Sequence, residues 1–148
     1  MNVVRAQAAD VAVAAPLFAA YREFYGEPYD VEVSAAFLTE RLTHDESIVL
    51  LARDDDGSAI GFTQIYPIFS STRLSRVWLL NDLFVSPDAR GSGAVDALLD
   101  TVTALAKDAG VTAIELATAH TNLRAQAVYE RSGYLLDEVF RTYERPIT

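Results

Sequence analysis

The sequence contains no cysteine. That excludes a disulfide framework, a thiolate-ligated zinc or iron–sulfur centre and a thiol nucleophile, leaving oxygen, nitrogen and backbone groups to carry any chemistry. Basic side chains are few: 12 Lys+Arg stand against 21 Asp+Glu in 148 residues, a net charge of -9. Phosphate-backbone binding needs clustered Lys and Arg, so general affinity for nucleic acid is excluded, and a cationic or amine-bearing partner is the better electrostatic match. Long apolar runs are also missing. The longest, Val11 to Tyr21, is interrupted by Pro16 and falls short of the roughly 20 residues that cross a bilayer, so no membrane association is expected. It makes a poor secretory leader as well, because Asp10 opens it and Arg5 is the only basic side chain ahead of it; a cytoplasmic protein is expected.

What is present is a chain 51% hydrophobic, with no repeat, low-complexity tract or linker-like stretch, which reads as one globular domain over residues 1–148. Val3 to Gln7 reads as a first strand. Asp10 is placed to cap a helix running to about Phe24, with Val11, Ala14, Phe18, Tyr21 and Tyr25 on one face and Gly26-Glu27-Pro28 as its stop. A second helix is expected from about Val31 to Thr43, turning Val33, Phe37, Leu38 and Leu42 inward. Ile48 to Arg53 and Ala59 to Tyr66 read as a hairpin around Asp54-Asp55-Asp56-Gly57-Ser58, whose acids form a solvated tip. Arg76 to Val85 is a third, longer strand. Val95, Leu98, Leu99, Val102 and Leu105 then keep helical spacing as far as Gly110. Ile114 to Thr118 reads as a strand, Asn122 to Arg131 as a short helix, and Tyr134 to Glu138 with Phe140 to Arg145 as closing strands. Antiparallel pairs come first and a βαβ unit follows.

Two segments carry chemical signals. The first is a strand leading into Arg90-Gly91-Ser92-Gly93 and a helix. Glycines let backbone N–H groups converge there, and the helix start adds positive partial charge, a cradle for phosphate or pyrophosphate. A dinucleotide fingerprint would need a third glycine where Asp96 stands, and a Walker loop would need Gly-Lys-Ser/Thr, so neither applies. An ordinary strand-to-helix turn would look the same in isolation. The second is Asn122-x-x-Ala125-x-x-x-Tyr129-x-x-x-Gly133-Tyr134, in which Ala125 and Tyr129 share one helix face. Read alone, Asn122 is an N-cap and Tyr129 a core aromatic.

Together, Leu83-Phe84-Val85-x-Pro87-x-x-Arg90-Gly91-x-Gly93 and the Asn122 to Tyr134 segment resemble the GNAT superfamily of acyl-CoA-dependent N-acetyltransferases. The resemblance implies a mixed α/β fold, with a mostly antiparallel, centrally splayed sheet of about six to seven strands flanked by about four helices. It implies acetyl-CoA as co-substrate and no metal. Coenzyme A would be held by the backbone of Leu83, Phe84 and Val85 along its pantetheine arm and by the loop of Arg90, Gly91, Ser92, Gly93, Ala94 and Val95 around its pyrophosphate, with Asn122 bonding the arm. Tyr129 matches the general acid that protonates the leaving thiolate. Val95 departs from the pattern, which prefers Gly or Ala there; its branched Cβ narrows the approach of phosphate.

Acetyl transfer needs a neutral amine, a polarised thioester carbonyl and a proton for the sulfur. Asp82, a carboxylate in an apolar strand, is the candidate base, since an unpaired charge there is costly without partners or a task. Many relatives carry Glu at the position of Asn81, which cannot take a proton. Direct action of Asp82, action through water, and loss of the proton to solvent remain open. Tyr21, Tyr25, Glu27 and Asn81 are candidate substrate contacts, because the stretch from Tyr21 to Asp30 offers aromatic faces and carboxylates to a cation. Pro67 to Ser71 is a candidate second wall, and with Trp78 to Phe84 it is similar to polyamine-type and small-amine members. His44 and His120 read as structural or solvent-facing.

The expected activity is therefore transfer of an acetyl group to a small primary amine by direct attack, since no cysteine exists to carry a covalent acetyl. A non-catalytic acyl-CoA sensor and a protein N-terminal or lysine acetyltransferase are the rival readings. Apolar closing strands make a homodimer the default expectation.

Overall fold

Apolar strands and a tight turn build the sheet on which the helices pack. In a computed structural model that describes all 148 residues, β1 (Asn2–Arg5), β2 (Ile48–Arg53), β3 (Ala59–Ser70), β4 (Ser75–Val85) and β5 (Ala113–Glu115) form one five-stranded sheet in the order β1-β2-β3-β4-β5. The first four strands are antiparallel neighbours, and β5 joins β4 in parallel. The β2–β3 turn is set by Asp54, whose Oδ1 accepts from Asp56 N and Ser58 N at 3.0 and 2.9 Å, and by Gly57 at φ +83°. Asp55 in that tip pairs with the Met1 amino group at 2.8 Å. Gly61 is required by space rather than by φ. A Cβ there would lie 2.9 Å from the Phe84 carbonyl of β4, closer than real Cβ atoms come.

The chain forms two compact units, Met1–Ala117 and Thr118–Thr148. In the first, α1 (Val11–Phe24) and α2 (Val31–Thr43) pack together and α1 lies on one face of the sheet. Val11, Ala14, Leu17 and Phe18 of α1 meet Leu38 of α2 and Val49, Leu51 and Phe62 of the sheet in one apolar cluster. Because strand side chains alternate, Leu50 and Ala52 point the other way, toward α3 (Ala94–Asp108), whose Leu98, Leu99, Val102 and Ala106 are buried. Asp10 precedes α1 as expected, yet its carboxylate accepts from Gln7 N at 2.8 Å and lies 3.7 Å from Arg53 instead of capping α1.

The inward face of α2 differs from expectation. Leu38 and Ser34 are buried and Leu42 is partly buried, whereas Val33 and Phe37 are exposed. The helix approaches α1 along the narrow stripe of Ser34 and Leu38, made close by a small side chain whose hydroxyl turns back to donate to the Asp30 carbonyl at 2.6 Å. Phe37 instead rests beside Phe18 and under the Arg41 guanidinium. β3 runs four residues past the expected end, so Pro67 to Ser70 is the outer half of a β3–β4 ribbon. β1 and β5 are displaced or shorter than expected.

In the second unit α4 (Leu123–Arg131) is followed by Gly133 at φ +92° and a stretch without helix or strand. The two closing strands expected at Tyr134 to Glu138 and Phe140 to Arg145 are not formed, so the sheet has five strands and not six or seven. The segment has no partner strand to supply ladder hydrogen bonds; within it Asp137 Oδ1 accepts from both Val139 N and Phe140 N at 2.9 Å in a local turn. These two bonds also hold the Asp137 carboxyl below the usual carboxylate range.

Candidate active site

The register of β3 against β4 slips between Gln64 and Ile65: Gln64 faces Asp82 but Ile65 faces Leu80, leaving Asn81 as the extra residue of a bulge. The bulge turns a polar set into the sheet. Asp82 is 4% exposed, and Thr63 and Gln64 are fully buried. Gln64 Nε2 donates to Asp82 Oδ2 at 2.7 Å, Asn81 Nδ2 donates to Oδ1 at 3.1 Å, and Thr63 Oγ1 donates to the Asp82 carbonyl at 2.7 Å. The Tyr21 hydroxyl of α1 donates to the Asn81 carbonyl at 3.3 Å, near the carboxylate. Burial pushes the Asp82 carboxyl above its ordinary range, and Gln64, Tyr21 and Asn81 pull it part of the way back. Tyr66, half-buried on β3, is pushed up to about 12 by burial and then by the Asp82 charge, partly offset by Arg41. A carboxylate buried among donors can accept a proton from a weakly solvated amine.

Next to this cluster the sheet opens. β4 pairs with β5 only through Val77, Trp78 and Leu79, so Leu80 to Val85, including Leu83, Phe84 and Val85, have no ladder partner on that side. An extended ligand arm can add to such an edge as a strand would. A 3₁₀ turn over Pro87–Ala89 carries β4 into the glycine loop. Gly91 and Gly93 adopt φ +80° and +89°, and a Cβ at either would meet nothing within 4 Å. The loop thus needs glycine for its backbone and leaves open space above it. The first-turn amides of α3 have no intrahelical acceptor, and Ser92 Oγ stands 3.4 Å from Ala94 N. Ala94 is buried and Val95 half-buried. These residues fit a diphosphate. The shallow depression on the outer side of the loop, lined by Met1, Asp54, Asp55, Ile60, Asp88, Ala89 and Ser92, carries three carboxylates and does not.

Of the candidate substrate contacts, Tyr21 and Asn81 meet through the bond above, and Tyr21 packs edge-on to Tyr25, Phe62 and Phe84 with centroids 5.0 to 6.3 Å apart. Tyr25 is largely exposed, and Glu27 lies 3.8 Å from Arg22. In the second unit Asn122 caps α4, its side chain accepting from Ala125 N at 3.1 Å. Tyr129 lies on α4 with its ring 5.9 Å from that of Tyr134, whose hydroxyl is pushed up to about 12 by burial and then by Tyr129. His44 Nδ1 is 2.8 Å from the Glu40 carbonyl at the end of α2, and both histidines are exposed. Sequence reasoning missed Gln64, Thr63 and Tyr66. The one available signal was a pair of polar residues in the middle of an apolar strand. No cluster of three His, Asp or Glu side chains that could hold a metal is present, and no helix is long and apolar enough to cross a membrane.

Residues 14–134 match the model of the acetyltransferase (GNAT) family. The uncharacterized N-acetyltransferase YhfO of Bacillus subtilis (strain 168) is 44% identical over 143 residues, 97% of this chain and 95% of that protein. An aminoglycoside N(6')-acetyltransferase type 1 of Stenotrophomonas maltophilia is 31% identical over 100 residues, 66% of this chain and 65% of that protein. A crystal structure of a probable acetyltransferase superposes with a TM-score of 0.95 at 40% identity, covering 100% of this chain and 99% of the other.

Proposed function

The chain belongs to the acetyltransferase (GNAT) family, and from that premise we propose that it moves the acetyl group of acetyl-CoA onto a primary amine of a small molecule. Acetyl-CoA, the co-substrate of this family, supplies the activated acyl group. The observation that carries the reading is the buried Asp82 carboxylate beside a β4 edge unpaired from Leu80 to Val85, with a two-glycine loop at the strand's end.

On this reading the backbone of Leu83, Phe84 and Val85 binds the pantetheine arm, and the amides of Ser92 through Val95 at the start of α3, with Arg90 and Gly91 leading in, bind the pyrophosphate. Backbone N–H groups of the same edge polarise the thioester carbonyl. Asp82 takes the proton of the ammonium, which leaves a neutral nucleophile, and Tyr129 gives its hydroxyl proton to the departing sulfur. Asn122 steadies the cofactor arm. Tyr21, Tyr25, Glu27 and Asn81 form the amine side, where aromatic rings and carboxylates favour a cation. Two further points support the reading. The family match runs through both compact units, and an aminoglycoside acetyltransferase is among the similar proteins. We read residues 1–148 as one catalytic domain and, from the exposed apolar side chains after Gly133, as a homodimer.

Thiol release from acetyl-CoA across a panel of small amines, peptides and aminoglycosides tests this. Turnover with small amines supports it. Turnover on peptide amines alone would move the acceptor to protein, and tight coenzyme A binding without turnover on any amine would make the chain an acyl-CoA sensor.

A further inference from the structure

Gln64 is the fully buried side chain that hydrogen-bonds the Asp82 carboxylate, and half of its amide is unused. Nε2 donates to Asp82 Oδ2 at 2.7 Å, while Oε1, equally buried, has no hydrogen-bond partner. Buried amide oxygens are ordinarily paired, so an orphan beside a titratable group calls for an explanation. The orientation follows from the charge: an ionised carboxylate only accepts, so Nε2 must face it. Once Asp82 carries a proton it becomes a donor. A half-turn of the Gln64 amide then presents Oε1 to that O–H, so one side chain serves both states of the carboxyl.

Resting on the reading of Asp82 as the base, we propose that Gln64 is a positioning residue for the reaction, orienting the Asp82 carboxylate while it is ionised and accepting from it after it has taken the amine's proton. In that step the N–H bond of the ammonium breaks, its electron pair stays on nitrogen, and an O–H bond forms on Asp82. The other groups facing the carboxyl are Tyr21 from α1, Tyr66 from β3 and Asn81 of β4, with Arg41 of α2 acting on Tyr66. No charged side chain of α3 or β5 is among the groups that shift Asp82. Gln64 differs from Asn81 in being wholly sealed from water, so solvent cannot replace it when it is removed.

The test is a pH titration of Cγ-labelled aspartate by NMR in the full chain, with the Asp82 signal identified by its loss in Asp82→Asn. In Gln64→Met, which keeps the side-chain length but cannot donate, the Asp82 midpoint moves to higher pH. In Gln64→Glu the two carboxyls share a proton and the midpoint splits into two steps. Thr63→Val, which loses a buried bond to the backbone of Asp82, lowers Tm but leaves the midpoint in place. In kinetics, Gln64→Met moves the acid limb of kcat/KM to higher pH, so that it loses more activity on the acid side of the profile than on its alkaline plateau. An Asp82 midpoint unchanged in both Gln64 variants overturns the proposal, even if Tm falls. Absence of thiol release with every amine would instead sink the reading of the reaction, and the titration would still report whether Gln64 governs Asp82.

Discussion

Asp82 is held in the folded protein at a thermodynamic disadvantage, since burial raises its carboxyl above the usual range while the unfolded chain titrates near the ordinary aspartate value of ~3.9. The folded state therefore binds more protons between those two values. The stability this group contributes is fully present below the unfolded value and is lost as pH rises through the folded one. Asp82→Asn, a standing mimic of the neutral form that can still accept from Gln64, should raise Tm at pH 7 and change it little at pH 4. Calorimetric scans at both values check this, and an equal shift at the two would mean that the charge is not what is being relieved. The same variant should lose acetyl transfer, which separates the site's chemistry from its stability. Tyr129→Phe makes the complementary case. It removes only a hydroxyl from α4, so turnover should fall by roughly 10²–10⁴-fold with coenzyme A affinity nearly unchanged, and wild-type turnover would remove Tyr129 from the mechanism. Asp82 could be singled out in the sequence because a carboxylate in an apolar strand is conspicuous. Gln64 carried only the weaker signal of an uncharged polar residue in an apolar strand, and its contact depends on a register slip that no local pattern encodes.

Where an element is specified by its own residues, the sequence and the structure agree closely. α1 ends at Phe24, α2 runs from Val31 to Thr43 and β2 from Ile48 to Arg53, each bounded by local signals: Gly26 at positive φ, the Asp30 cap on Val33 N, and the Asp54 turn. Elements defined by partners were less legible. β5 is only three residues long because β4 diverges from it after Leu79, and α2 buries Ser34 because α1, not the sheet, is its main neighbour. The glycine loop belongs to the first class, since Gly91 and Gly93 both take the positive φ that their residue type permits. Val95, second in α3, is the position where the loop departs from the GNAT pattern. Val95→Ala removes a branched Cβ from the first turn and adds helix propensity. It should tighten coenzyme A binding by up to about tenfold, equivalent to ~1.4 kcal/mol, as read by titration calorimetry. An unchanged Kd would show that the branch lies clear of the phosphate path.

At the scale of the molecule, the order of strands and helices was readable because hydrophobic period and turn residues recur along the whole chain, and the closing strands were the part that was not. Leu135, Leu136, Val139, Phe140, Tyr143 and Ile147 have the apolar character of strand residues, yet all are exposed and none sits in a ladder. Strand composition without a partner strand does not make a strand, because the ladder, not the residue, supplies the hydrogen bonds. Exposed apolar side chains gathered in one segment suit an interaction site, and the homodimer reading assigns them to a second copy. Leu136→Asp combined with Phe140→Asp places charge in that segment. Light scattering behind a sizing column should report a dimer for the wild type and a monomer for the double variant, with far-UV circular dichroism of the two alike. A wild-type chain that is monomeric at every concentration measured would leave these side chains for a different partner and end the homodimer reading, whereas a dimer that survives both substitutions would place its interface elsewhere on the molecule.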